Sequence, residues 1–230
     1  MTVETRYTRG MALRRGAVAG MAAAGGGALL ASRADAAGCS ETAAQIVDIA
    51  AIAEALAVTT YYWGIERPQV FHKLAEDDRP YLQGGLSAEK AHLDTLIGAG
   101  AAKPQHVFHF PKGTFASPKG WASVVESLER AFVSAYGAAV TRFSALGQDS
   151  MANLSARILG VEAEHRALAR EILGKELPNN LILEPALFTC VSEAATALTP
   201  FLNGSQGFTV AKPMPTDAQI KKAVGRHPAI

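Results

Sequence analysis

The sequence predicts an all-α fold: a four-helix bundle with a long crossover between its second and third helices and an additional C-terminal helix. Three observations carry this prediction. Apolar residues recur at helical period in five segments, and Gly- and Pro-rich breaks separate those segments. The composition is rich in Ala, with aromatics at 7% and only short β-branched runs. With 49% hydrophobic and 19% charged residues among 230, the chain is globular rather than disordered and is long enough to bury one ordinary core. A net charge of +1 offers no field for nucleic acid, and no Lys/Arg stripe marks a phosphate footprint.

Residues 1–37 read as a cleavable export signal and are set aside from the fold. Arg6, Arg9, Arg14 and Arg15 form a basic start, Gly16 to Leu30 a weakly apolar stretch, and Ala34-Asp35-Ala36 a small-residue cleavage site. The Arg14-Arg15 pair resembles a twin-arginine signal, which implies a periplasmic, envelope or secreted location. Removing residues 1–36 takes away five basic and two acidic residues and leaves 17 against 19, a net charge of −2. Beyond that segment, no apolar stretch is expected to reach the roughly 18 residues of a membrane span. Two cysteines exclude a disulfide scaffold or a Cys-rich metal cluster. They can form one disulfide, Cys39 to Cys190, or stay as thiols. Acylation of Cys39 is the weaker reading, since Ala36 stands where a lipidation signal carries Leu or Val.

The helical bundle is expected over residues 41–202. Its first helix runs from Glu41 to Gly64 and the second from Asp78 to Gly98. Ala99 to Gly120 holds too many Gly and Pro residues for a continuous helix and makes the crossover. The third helix spans Trp121 to Leu146, and the fourth runs from Ser150 to Leu173, stopped by Gly174 and Pro178. A fifth, Glu184 to Leu202, is amphipathic and suits a cover for the bundle or a homo-oligomer surface. Residues 203–230 are expected to be an extended tail.

Two segments repeat one pattern. Glu89-Lys90-Ala91-His92 and Glu162-Ala163-Glu164-His165 each place a carboxylate and an imidazole three residues apart, on one helix face. Each is preceded by a Glu on the helix before it, Glu54 by 35 residues and Glu129 by 33. The chain therefore reads Glu…Glu-x-x-His twice. Three of the carboxylates are seen to interrupt apolar stripes: Glu129 sits with Val125, Phe132 and Tyr136, Glu54 with Ala50, Val58 and Tyr61, and Glu162 with Ile158 and Ala169. Glu126 and Glu164 lie toward polar faces. Burying four carboxylates uncompensated costs several kcal/mol each. Those stripes carry no Lys or Arg, so metal ions are the expected compensation, and Glu54, Glu89, His92, Glu129, Glu162 and His165 the expected ligands.

The stretches Ala53-Glu54 through Tyr61-Tyr62, Ala88-Glu89-Lys90-Ala91-His92, Leu128-Glu129 through Ala139, and Gly160-Val161-Glu162-Ala163-Glu164-His165-Arg166 resemble the ferritin-like family of exported bacterial proteins related to plant desiccation-associated proteins. The resemblance covers roughly residues 41–173. It implies a ferritin-like bundle, the same six ligands, two Fe or Mn ions, and dioxygen or peroxide as the small-molecule partner of an oxidase, ferroxidase or peroxide-degrading reaction. A non-enzymatic structural or stress-protective bundle with a vestigial site is the competing expectation.

Other chemistry-bearing residues receive plainer readings. His106-Val107-Phe108-His109 lacks neighbouring carboxylates and is expected to be a surface or lid segment. Tyr61, Tyr62, Trp63 and Tyr136 are expected to pack the core. Arg157, Arg166 and Arg170 are expected to form a solvated face paired with Glu164 and Glu171.

Overall fold

Thr42 starts the first helix. Its hydroxyl accepts from the Gln45 amide at 3.3 Å while the Gln45 side chain accepts from the Thr42 amide at 2.8 Å, the reciprocal pair that satisfies two orphan donors of a helix start. The computed structural model describes residues 38–175 and 182–225, so the predicted export signal lies outside the described residues. Helix α1 (Ala43–Ile65) is buried on nearly every side through its C-terminal half. It is the one helix among the described residues long and apolar enough to cross a membrane by length and composition, which corrects the expectation of none. Its most apolar window is 61% buried, as a bundle's central helix requires.

A single turn, α2 (Pro68–Phe71), leads to α3 (Asp78–Gly98). Ser117 caps α4 (Pro118–Ala145) by accepting from the Gly120 amide at 3.1 Å, with Pro118 at the position where a missing N–H costs nothing. Only Leu146, Gly147 and Gln148 separate α4 from α5 (Asp149–Ile172); Gly147 takes the left-handed φ of 69° that this tight reversal needs. Helix α1 packs along α3 and α4 along α5, giving two helical hairpins joined by the crossover. Their contact is close at Gly64, where a Cβ would stand 2.4 Å from Trp121 Nε1, whose N–H donates to the Thr60 carbonyl at 3.0 Å.

Three departures from the sequence reading lie outside the four long helices. The crossover contains strand β1 (Val107–Phe110), paired antiparallel with β2 (Val210–Pro213), so His106 to His109 enters a sheet rather than forming a lid, with His106 and Val107 at the surface. Phe108 and Phe110 are fully buried, and Phe110 stacks edge-on against Phe115 and Phe201. The fifth predicted helix begins late: α6 (Val191–Asn203) is preceded by an irregular strap whose Leu187 and Phe188 amides donate to Ser134 Oγ. The tail is not extended throughout, because α7 (Asp217–Val224) forms behind a Thr216/Gln219 capping pair.

The strap and α6 are anchored to the start of α1. Cys39 and Cys190 are joined as a disulfide, so both thiols are consumed. The buried Glu41 side chain accepts from the Ser192 amide at 2.8 Å, an acid placed at the N-terminus of a helix remote in sequence.

Candidate metal centre

Each of the four long helices contributes a carboxylate from its middle. Glu54 on α1, Glu89 on α3 and Glu162 on α5 are fully buried, and Glu129 on α4 is 1% exposed. The Glu-x-x-His spacing lays His92 over Glu89 and His165 over Glu162 on the inward faces of α3 and α5. All six predicted residues converge on one pocket. They fall into two overlapping groups, each with ligand atoms within 4.8 Å of one another: Glu54, Glu89, His92 and Glu162, and Glu89, Glu129, Glu162 and His165. Glu89 and Glu162 belong to both.

The imidazole Nδ1 atoms stand close to the carboxylates. His92 Nδ1 lies 3.1 Å from Glu162 Oε1, 3.5 Å from Glu54 Oε2 and 3.6 Å from Glu89 Oε2, without the alignment of a hydrogen bond to any of them. His165 Nδ1 is 2.7 Å from Glu89 Oε1 and 3.1 Å from Glu162 Oε2, and only the second contact has hydrogen-bond geometry. Six buried atoms thus lack a hydrogen-bond partner: Glu54 Oε2, both Glu89 oxygens, His92 Nδ1, Glu129 Oε2 and Glu162 Oε1. Carboxylate oxygens and imidazole nitrogens crowded at a common point, six of them without a hydrogen bond, fit cations. Oxygen and imidazole donors in this ratio suit first-row divalent metals. The residues present therefore fit a metal site.

Burial and mutual repulsion dominate the electrostatics. Burial, then the Glu162 charge, pushes the Glu54 and Glu129 carboxyls well above the usual carboxylate range. Burial also opposes ionisation of Glu89, but the adjacent His165 charge overcomes it and holds that carboxyl low. Burial disfavours the charged form of His92 and His165 as well. The carboxylates around each ring outweigh it and raise both above an ordinary histidine. The carboxylates have no Lys or Arg beside them, and the two raised imidazoles are the neighbouring groups able to carry positive charge. Arg166, next to His165, is buried rather than solvated and directs its guanidinium to Glu126 and Glu184. For Arg166 this corrects the predicted solvated pairing with Glu164 and Glu171.

Two tyrosines expected to pack the core also reach into the pocket. The Tyr61 hydroxyl donates to Glu129 Oε1 at 3.2 Å, and the Tyr136 hydroxyl donates to Glu54 Oε1. Each tyrosine stands seven residues after one Glu and bonds the Glu of the other helix, so the two links cross between α1 and α4. Burial, then the neighbouring carboxylate, pushes both hydroxyls well above an ordinary tyrosine, so they remain donors. The seven-residue spacing was the available signal: two turns bring each ring onto its own helix's carboxylate face. Tyr62 and Trp63 are not part of this arrangement, and Trp63 Nε1 donates to the Pro213 carbonyl instead.

The family description "Ferritin-like domain" matches residues 42–175. The chain belongs to the ferritin-like domain family. Comparisons with curated proteins and with solved structures gave no match. The matched span contains α1 to α5 and all six inward-facing side chains. The ferritin-like bundle is thus the part that builds the pocket, while the strap, α6, β2 and α7 lie beyond it.

Proposed function

We propose that this is an exported ferritin-like protein holding a dinuclear iron or manganese centre, with oxidase, ferroxidase or peroxide-degrading activity. The observation that carries the dinuclear reading is that Glu89 and Glu162 are common to both groups of ligand atoms. A metal pair would be held by Glu89 and Glu162 in common, with Glu54 and His92 on one side and Glu129 and His165 on the other. When bound, a redox-active metal pair supplies the electrons for reducing dioxygen or peroxide.

The chain's own residues prepare that chemistry. Tyr136 and Tyr61 fix one oxygen of Glu54 and of Glu129, which leaves the other oxygen of each directed inward. The surrounding apolar faces keep water from the carboxylates, so their charge is felt at full strength by a cation. His92 and His165 must lose their protons to coordinate, which ties loading to proton release.

Metal analysis of protein purified from the periplasmic or secreted fraction, and after anaerobic reconstitution with Fe(II) or Mn(II), tests the reading. The expected result is about two ions per chain, lost when Glu89 and Glu162 are both changed to Gln. Failure to bind either metal would overturn it. The competing reading is a structural or stress-protective bundle with a vestigial site. It draws on the imidazole–carboxylate contacts of 2.7 to 3.6 Å, which compensate charge without metal. Such a protein would keep its stability and protective effect in the Gln variant. Export through the Arg14-Arg15 signal is tested by mass spectrometry of the mature N-terminus, expected near Ala37.

A further inference from the structure

A cleft of about 700 Å³ opens between α3 and α5, and it reaches the carboxylate pocket at one side chain. His165 lines it while only 9% exposed. The Nδ1 of that ring faces Glu89 and Glu162, and its Nε2 makes no hydrogen bond among the described residues. A nearly buried imidazole nitrogen without a protein partner is left to meet whatever occupies the cleft.

Four carboxylates line the same cleft: Asp77 and Asp78 where α3 begins, and Glu164 and Glu171 on α5. No Lys or Arg lines it among the described residues, because Arg166 and Arg170 of α5 turn to Glu126 instead. Burial, then the Asp77 charge, raises the Asp78 carboxyl, as expected of anions crowded without a cation. The rest of the wall decides which cation fits. A divalent metal ion keeps its water shell and gains nothing from apolar surface. Here Pro80, Val161 and Leu168 supply apolar wall, and Tyr81 stands 67% exposed at the edge. An aromatic ring beside carboxylates suits an organic ammonium ion. The volume also falls within the roughly 300–1,000 Å³ of small-molecule sites. Glu171 follows His165 by six residues, about 9 Å along the helix, so one molecule can span the two.

We propose that the cleft between α3 and α5 binds a small organic ammonium ion, with its charge among Asp77, Asp78 and Glu171 and its apolar body toward His165. Binding follows from the cleft alone, whereas presentation of that molecule to a metal pair rests on the centre proposed above.

Hexylammonium is the probe and hexanol its neutral counterpart. Titrated into metal-free protein and followed by amide NMR, hexylammonium should shift Gly84, Ala88 and Leu168 and bind about tenfold more tightly than the alcohol. Glu164→Gln/Glu171→Gln should weaken the amine about tenfold and leave the alcohol unchanged. Gly84→Leu places a side chain in open space at the cleft and should abolish binding. If that variant fails to fold, the double Gln variant carries the test. Equal affinity for amine and alcohol, or undiminished amine binding in the double Gln variant, overturns the proposal. Displacement of the amine by Mg(II) at matched ionic strength also overturns it and makes the cleft a site for hydrated metal ions. In Mn(II)-loaded protein the terminal methyl protons of the probe should broaden more than those beside its nitrogen, and the reverse order overturns the orientation toward His165. Protein that binds hexylammonium but takes up no Mn(II) keeps the cleft site and loses only the metal reading.

Discussion

The same four helices carry two interiors, end to end. At the level of Glu54, Glu89, Glu129 and Glu162 the core is a cage of buried anions with six unpartnered atoms. One turn along, at Ala50, Phe132 and Ile158, it is small, apolar and without a comparable polar demand. Backbone and packing are alike in both, so the difference lies in what each half requires from outside the chain. The apolar half is complete once α6 covers it. The anionic half leaves six atoms without a hydrogen bond, so its stability depends on positive charge, whether protons on His92 and His165 or metal.

The sharpest way to break that contrast is to remove the metal. If the centre holds metal at about a thousand times its dissociation constant, binding contributes about 4 kcal/mol. A chelator should then lower Tm by roughly 10 °C in a bundle of this size. The Glu89→Gln/Glu162→Gln protein should show no chelator effect, and an equal chelator effect in that variant would place the metal elsewhere. In the metal-free protein the direction with pH is also fixed. The folded-state affinities of His92 and His165 for protons are raised, so their contribution is full below about pH 6.5 and fades above it. Glu54 and Glu129 are raised too, so they favour the folded state below about pH 4.5 and lose that contribution as pH climbs through their folded values. Glu89, held low, acts oppositely and only toward acid. Metal-free protein should therefore lose stability between about pH 6 and 9, while metal-loaded protein, whose ligands must be deprotonated, should gain it. Denaturant midpoints in parallel at the two pH values read this out; parallel slopes would refute the contrast.

That contrast was largely legible in the sequence. The two Glu-x-x-His segments and the lone Glu residues preceding them are local patterns on helices whose inward stripes can be counted, and all six side chains meet. Tyr61 and Tyr136 were not recognised because a Tyr at helical spacing reads the same whether its hydroxyl is idle or donated to the opposite helix. Arg166 was misplaced for the same reason: its partners Glu126 and Glu184 come from other elements. The β1–β2 pairing joins residues about a hundred positions apart, which no local period records, although the alternation of Phe108 and Phe110 with exposed or half-buried neighbours was a strand signal. Thr216 and Gln219, a capping pair, announced α7 in a segment judged only by its Gly and Pro content.

The roof over the apolar half offers a smaller perturbation. The disulfide closes a separation of 151 residues and holds the first residue before α6 against the start of α1. Changing Cys39 and Cys190 to Ser should cost about 2–4 kcal/mol, mostly by freeing the unfolded chain. Hydrogen exchange should show the loss of protection concentrated in α6 and the strap, and metal stoichiometry should be unchanged. Loss of metal in that variant would mean that the two interiors are coupled through α6 rather than only adjacent.

The smallest expected effect falls where the two interiors meet. Tyr136→Phe keeps the ring that packs in the apolar half and removes only the hydroxyl that orients Glu54. Loss of such an outer partner typically weakens metal binding by about 10–100-fold. Tyr61→Phe should act comparably through Glu129. The pair of variants thus tests the two crossed links one at a time. If both weaken metal, the hydroxyls act through the carboxylates they orient. If Tyr136→Phe leaves metal affinity intact, Glu54 is held by the metal rather than by its tyrosine, and the crossed hydroxyl links are packing after all.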